Sequence, residues 1–138
     1  MLSDNRESMK EEKCPCGNDK AYKDCCGLVH QNMVYAKTAE DLMRSRYTAF
    51  VLADGDFLIE SYHIDRRKPE MKEQLVTWAK SMEWLGLDIL RTRQGQEEDE
   101  EGVVEFKAHF KEGNKIRVLQ QRSKFVREAG YWKYHSEV

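Results

Sequence analysis

The sequence predicts an α+β fold in which three helices precede a four-stranded antiparallel sheet. Between residues 38 and 82, apolar residues recur with the period of a helix. From residue 83 onward they recur with the period of a strand. A further observation distinguishes the N-terminal part from this domain: all four cysteines of the 138 residues lie between positions 14 and 26.

The first helix begins with a clear start signal. Thr38 is a suitable N-cap, and Asp41 stands three positions on, as in a shortened capping box. We expect this helix to run to about Ala53, where Asp54-Gly55 interrupts it. Two further helices are predicted, one from Asp56 to Tyr62 and one from Pro69 to about Met82.

The second half of the chain alternates apolar and polar residues. Leu85, Leu87 and Ile89 are expected on the inner face of the first strand. The second strand repeats the pattern from Val104 to Phe110. Turn signals then separate the last two strands, predicted at Lys115–Arg127 and Tyr131–His135. Between the first two strands, Gly95–Gly102 carries five consecutive acids and predicts a solvated hairpin loop.

Composition and charge exclude several classes of function. Charged residues make up 35% of the chain, and 23 basic residues against 25 acidic ones leave a net charge of −2. That balance does not favour nucleic acid or an anionic membrane as partner. We find neither a signal peptide nor an apolar run long enough to span a membrane, and we therefore expect a cytoplasmic protein.

The predicted organisation has three parts. Residues 1–13 are a flexible lead-in, residues 14–30 a cysteine-rich segment, and residues 36–138 the α+β domain. The cysteine-rich segment has too few apolar residues to order itself, so it needs a covalent or metal staple.

The cysteines follow the pattern C-x-C-x8-C-C, formed by Cys14, Cys16, Cys25 and Cys26. Four thiolates in two pairs favour one structural Zn²⁺ ion, which would neutralise them and order the segment. The alternatives are a redox-active dithiol, an iron–sulfur cluster and unconnected buried thiols. The absence of a C-x-x-C motif argues against the first. With four protein ligands, zinc keeps no position for water, so a catalytic ion is not expected.

A charged side chain interrupts the apolar stripe of the first helix. Arg46 falls within that stripe, and Gln121 and Ser123 share a strand face with apolar neighbours. These three residues form either a structural polar network or the wall of a ligand pocket. Neither His63, at a helix end, nor His109, expected to be exposed, is placed as a general base beside them.

Two resemblances add to this interpretation. Cys14-Pro15-Cys16-Gly17, Tyr22-Lys23 and Cys25-Cys26-Gly27 resemble the SEC-C motif, the zinc knuckle of the preprotein translocase SecA, where it docks other proteins and the ribosome. The motif followed by LMRSRYTAF, WLGLDILRTRQG, VEFKAHF and RSKFVREAGYWKY resembles the YchJ family. That resemblance implies a domain similar to nuclear transport factor 2, a curved sheet wrapped around helices as a cone with a cavity. Where relatives often have His-Glu, this chain has Gln120-Gln121.

These observations predict a non-catalytic zinc-binding protein. Its knuckle would contact a partner protein, with the translation and secretion machinery as candidates, and the cone would be the scaffold. The alternative is an enzyme or small-molecule binder that uses the cone cavity, with Arg46 contacting an anionic ligand.

Overall fold

The computed structural model describes residues 9–138, so residues 1–8 of the predicted lead-in lie outside the described residues. It shows an α+β fold, as the sequence predicts. The elements in chain order are α1 (Cys26–Gln31), α2 (Ala39–Leu52), α3 (Gly55–Glu60), α4 (Met71–Lys80), β1 (Glu83–Gln94), β2 (Glu101–Glu112), β3 (Lys115–Glu128) and β4 (Tyr131–Glu137). Short 3-10 turns lie at Tyr22–Asp24, Met33–Tyr35 and Ile64–Arg66. Helix α1, inside the cysteine-rich segment, was not predicted.

Helix α2 begins with the predicted capping box. The Asp41 amide donates to Thr38 Oγ1 at 3.1 Å, and the Thr38 amide donates to Asp41 Oδ2 at 3.2 Å. The helix ends at Ala53, whose φ of 54° is left-handed. Buried Asp54 then caps α3 by accepting a hydrogen bond from the Phe57 amide at 3.1 Å. The two helices therefore follow one another through a fixed corner.

The four strands form one antiparallel meander in the order β1-β2-β3-β4. One face of this sheet packs against the helices and carries the core. Fully buried side chains from both layers meet there, among them Leu42, Leu58, Val104, Phe125 and Trp132. The predicted inner face of β2 is confirmed, since Val104, Phe106, Ala108 and Phe110 are all buried.

The predicted inner face of β1 is wrong at Leu85, which is 47% exposed. The register of β1 against β2 shifts between Trp84 and Gly86, so Leu85 is the extra residue of a bulge. Trp84 takes the inward place and meets the rings of Phe50 and Trp78 at centroid distances of 5.6 and 5.3 Å. A bulge exchanges the two faces of a strand, and alternation alone cannot locate it.

The acidic loop between β1 and β2 is tied to the sheet by its backbone. Arg127 donates from Nε to the Asp99 carbonyl at 2.7 Å and from Nη2 to the Glu97 carbonyl at 2.6 Å. Glu97, Glu98 and Glu100 are exposed, as expected of a solvated loop. Across residues 9–138, no helix is both long and apolar enough to cross a membrane.

Candidate metal centre and buried arginine

Local turns bring the two pairs of cysteines together. The Cys14 amide donates to the Lys20 carbonyl at 2.8 Å, and Lys13 and Ala21 form an isolated antiparallel bridge. Gly17 sits at φ +96°, a backbone conformation that favours glycine just after the first pair. The second pair follows at the start of α1. The chain therefore closes a small loop with the first pair at one end and the second pair at the other.

The four sulfur atoms lie within 4.8 Å of one another. The Sγ atoms of Cys16 and Cys25 are 3.6 Å apart. A tetrahedral zinc ion with Zn–S bonds of about 2.3 Å needs sulfur atoms about 3.8 Å apart. Cys14, Cys16 and Cys26 are buried and Cys25 is half-buried. The cluster therefore fits a metal ion in donor type, number and spacing.

Polar side chains donate hydrogen bonds to these sulfur atoms. Thr48 Oγ1 donates to Cys26 Sγ at 3.3 Å and also lies 3.8 Å from Cys14 Sγ. Asn18 Nδ2 lies 3.5 Å from Cys25 Sγ. Such donors stabilise thiolates and fix their orientation around a metal. Thr48 was not predicted from the sequence, because its local signal is no more than a polar side chain on the buried face of α2.

Arg44 fixes the loop that carries the first pair. Its Nη1 donates to the Cys16 carbonyl at 2.7 Å, while its Nε pairs with Glu40 Oε2 at 2.9 Å. The guanidinium is thus held beside the cluster by both a backbone oxygen and a carboxylate. Four thiolates around a divalent ion carry a net charge of −2, which a nearby cation partly offsets.

The closely packed thiols shift one another's pKa values in opposite directions. Hydrogen bonding to Cys16 is the main cause that lowers the pKa of Cys14, to about 7. Bonds from Cys14 and then from Cys16 lower the pKa of Cys25. The pKa values of Cys16 and Cys26 are raised, in both cases chiefly by the bond to Cys14. A divalent ion bound by all four sulfur atoms would displace the protons that the thiols still carry.

The cysteine segment is continuous with the core of the α+β domain. The buried cysteines belong to one hydrophobic cluster with Leu42, Phe57 and Phe125. His30 joins the layers, since its Nε2 lies 2.8 Å from the Ser45 carbonyl and its ring 4.5 Å from that of Phe57. The segment therefore packs as part of the fold.

Arg46 lies in an aromatic clamp, which we define as the rings of Tyr62 and Tyr134. The guanidinium carbon is 4.5 Å from the centroid of Tyr62 and 4.4 Å from that of Tyr134. Its Nη1 donates to Ser61 Oγ at 2.6 Å, and that hydroxyl donates to the Leu58 carbonyl at 2.6 Å. Arg46 is only 5% exposed. The two rings and Ser61 therefore hold the guanidinium in place, and Nη1 is the one nitrogen of Arg46 with a hydrogen-bond partner among residues 9–138.

The structure brings the three residues of the predicted polar patch together only in part. Arg46 and Ser123 line one cavity of about 80 Å³, together with aromatic side chains such as Trp84. Gln121 does not line it and instead accepts a hydrogen bond from Ser123 Oγ at 3.3 Å. The arginine bonds to Ser61 rather than to Gln121. The partners of Arg46, which are Ser61, Tyr62 and Tyr134, were not predicted, because only tertiary structure brings them to it.

The two histidines considered from the sequence lie apart. His109 Nε2 pairs with Asp88 Oδ2 at 2.8 Å across β1 and β2. His63 Nδ1 accepts from the Asp65 amide at 3.2 Å and so caps the 3-10 turn Ile64–Arg66.

Comparison with known proteins gives a consistent result. The family profile described as "YchJ, middle NTF2-like domain" matches residues 38–137. The UPF0225 protein VP1145 of Vibrio parahaemolyticus is 40% identical over 121 residues, which cover 88% of this chain and 71% of that protein. A UPF0225 protein of Bordetella pertussis is 40% identical over 123 residues, which cover 88% of each chain.

Two solved structures share the fold. The solution structure of RPA3114, a SEC-C motif containing protein from Rhodopseudomonas palustris, superimposes with a TM-score of 0.82 at 31% identity. The match covers 91% of this chain and 97% of that one. A SEC-C motif containing protein from Psychrobacter arcticus gives a TM-score of 0.77 at 26% identity, covering 94% of this chain and 83% of that one.

Proposed function

The chain belongs to the YchJ family, and we propose that it is a non-catalytic zinc protein whose cysteine knuckle, residues 14–30, docks a partner protein. The α+β domain is the scaffold that holds the knuckle in place. The observation that carries this proposal is the convergence of four thiols on one point, beside a patch of exposed apolar side chains.

The donor set supports Zn²⁺ as the ion. Four sulfur ligands with tetrahedral spacing suit zinc, and they leave it no open position for water or substrate. The ion would join Cys14 and Cys16 on the N-terminal loop to Cys25 and Cys26 at the start of α1. Its role would be to fix this loop on α2, because binding of a structural zinc is coupled to folding.

Exposed apolar side chains on the knuckle and in the turn just after it support a protein partner. Leu28, Val34 and Tyr35 are 37%, 46% and 49% exposed, on α1 and the turn that follows it. Lys20 and Asp24 stand around the groove that Leu28 and Tyr35 border. Exposed apolar and aromatic side chains within a polar rim are typical of docking surfaces. We call Leu28, Val34 and Tyr35 the knuckle patch.

The interior of the cone gives less support to a ligand function. Its cavity of about 80 Å³ is well below the roughly 300–1,000 Å³ of common ligand pockets. Arg46, the residue that would contact an anion, is already held by Ser61 and by the aromatic clamp. These contacts favour the scaffold role.

The test is affinity capture with the full chain from the native cell. We expect a specific protein to be retrieved by the wild type and lost with the double variant Leu28→Ser, Tyr35→Ser, while the zinc content of the variant equals that of the wild type. The matched control is Ile116→Ser, Val118→Ser, which removes two exposed apolar side chains from β3 and should leave retrieval unchanged. Equal retrieval by both double variants would argue against the knuckle patch. Substoichiometric zinc in reduced protein whose residues 14–27 stay ordered would argue against the metal.

A further inference from the structure

A second group of potential metal ligands lies where the segment after α3 meets β4. His63, Asp65 and His135 have ligand atoms that lie within 4.8 Å of one another. His63 and Asp65 come from the segment after α3, and His135 comes from β4. The proposed function does not use these residues, and the knuckle does not contribute to them.

Backbone pairing holds the two segments in register. Tyr62 and Tyr134 form an isolated parallel bridge. The His63 amide donates to the Tyr134 carbonyl at 2.8 Å, and the Tyr134 amide donates to the Ser61 carbonyl at 2.7 Å. His63 therefore stands next to His135 because of main-chain hydrogen bonds, before any side-chain contact is considered. A ligand set positioned in this way is largely preorganised.

The carboxylate of Asp65 stands between the two imidazoles. Its Oδ2 is 3.4 Å from His63 Nδ1 and 3.8 Å from His135 Nε2. Nitrogen and oxygen ligands at about 2.0–2.1 Å from a tetrahedral ion are about 3.4 Å apart. Small side-chain rotations therefore suffice to place all three atoms around one ion. Metal coordination through His63 Nδ1 would break the hydrogen bond that this nitrogen accepts from the Asp65 amide. The amide lies on an exposed turn, so water can accept its hydrogen bond instead.

A hydrogen bond on its other ring nitrogen also orients the His135 imidazole. Its Nδ1 lies 2.9 Å from Ser136 Oγ, which leaves Nε2 directed at Asp65. A hydrogen bond to the nitrogen that does not bind metal is the usual support of a histidine ligand. Arg66 and Lys124 add positive charge near His135, which opposes cation binding. The negative charge of the Asp65 carboxylate offsets them and favours a cation.

The geometry points to a second metal site formed by His63, Asp65 and His135, for a divalent transition metal such as Zn²⁺. Two imidazoles and one carboxylate are ligands that this class of ion accepts readily. The side chains are 15%, 65% and 26% exposed, respectively, so the site opens to solvent on the Asp65 side. Three protein ligands leave at least one coordination position for water or an external ligand. This site thus differs in kind from the closed set of four thiols.

The test is calorimetric titration of Zn²⁺ into the full chain whose cysteine cluster is already zinc-saturated. We expect the wild type to bind one further equivalent. Asp65→Asn, which changes an exposed side chain and keeps its shape, should weaken that step at least about tenfold, and His135→Gln should do the same. The matched control is His109→Gln, which removes a histidine paired with Asp88 on the sheet and should bind like the wild type.

Imidazole ¹⁵N signals provide a readout that needs no variant. Zinc in excess of the first equivalent should shift the ring nitrogens of His63 and His135 and leave those of His109 in place. The inference is overturned if the wild type takes up no further equivalent. It is equally overturned if Asp65→Asn binds that equivalent with unchanged affinity, or if the His109 signals shift instead.

Discussion

Replacing Arg46 with methionine tests whether the aromatic clamp is structural. Methionine keeps an unbranched apolar stem but loses the charge, the contacts with Tyr62 and Tyr134 and the bond to Ser61. Each ring contact is worth about 2 kcal/mol at a buried position. The hydrogen bond from a charged donor adds about 1.5–3 kcal/mol.

The net loss is smaller than this sum, because methionine does not carry the desolvation cost of a buried guanidinium. We expect Arg46→Met to lower the free energy of unfolding by about 2–3 kcal/mol. For a chain of this size that corresponds to a fall in Tm of roughly 6–12 °C. Urea denaturation followed by tryptophan fluorescence measures the loss. Arg122→Met, at an exposed position on β3, is the control and should change stability by less than about 0.5 kcal/mol.

A stability equal to or above that of the wild type would refute this reasoning. It would mean that the protein retains a buried arginine at a cost to its own stability. Such retention is typical of a residue kept for ligand contact. The same measurement would then favour the cone cavity as a binding site for an anionic small molecule.

Two further predictions concern the knuckle and the base of β4. Thr48→Val removes the hydroxyl near Cys26 and should weaken zinc binding about 10- to 100-fold, as measured by competition with a chromophoric chelator. The control Thr92→Val on β1 should leave the zinc affinity unchanged. Equal affinities of the two variants would contradict the role of Thr48. The pKa of Lys133 is lowered from 10.5, first by burial and then by Arg67. Because the unfolded chain holds the Lys133 proton more readily than the folded protein does, the free energy of unfolding should rise as the pH is raised from neutral toward 10.5. Lys133→Met should lack this pH-dependent part of the free energy of unfolding. If denaturant titrations give parallel pH profiles for the wild type and Lys133→Met, the prediction is wrong.

Features set by neighbouring residues could be predicted from the sequence. The Thr38–Asp41 capping box and the alternation of β2 depend on residues three or two positions apart, and both are confirmed. The bulge at Leu85 could not be predicted, because one extra residue reverses the faces of a strand without changing its composition. Helix α1 was missed because its six residues, which include a cysteine and a glycine, carry little helical signal.

The candidate sites divide in the same way. Short spacing predicts that the four cysteines meet, and their sulfur atoms do converge. The partners of Arg46 come from the segment after α3 and from β4, which only tertiary structure brings together. The same pairing creates the cluster of His63, Asp65 and His135, whose members look unremarkable when the sequence is considered alone.

The indole of Trp132 closes the interior from the far end of the chain. The side chain is fully buried, and its Nε1 donates to the Lys37 carbonyl at 3.1 Å across 95 residues of sequence. During synthesis the helices and the first three strands leave the ribosome before this residue. Until β4 pairs with β3, the apolar side chains that pack against Trp132 stay uncovered, so the incomplete sheet is prone to aggregation.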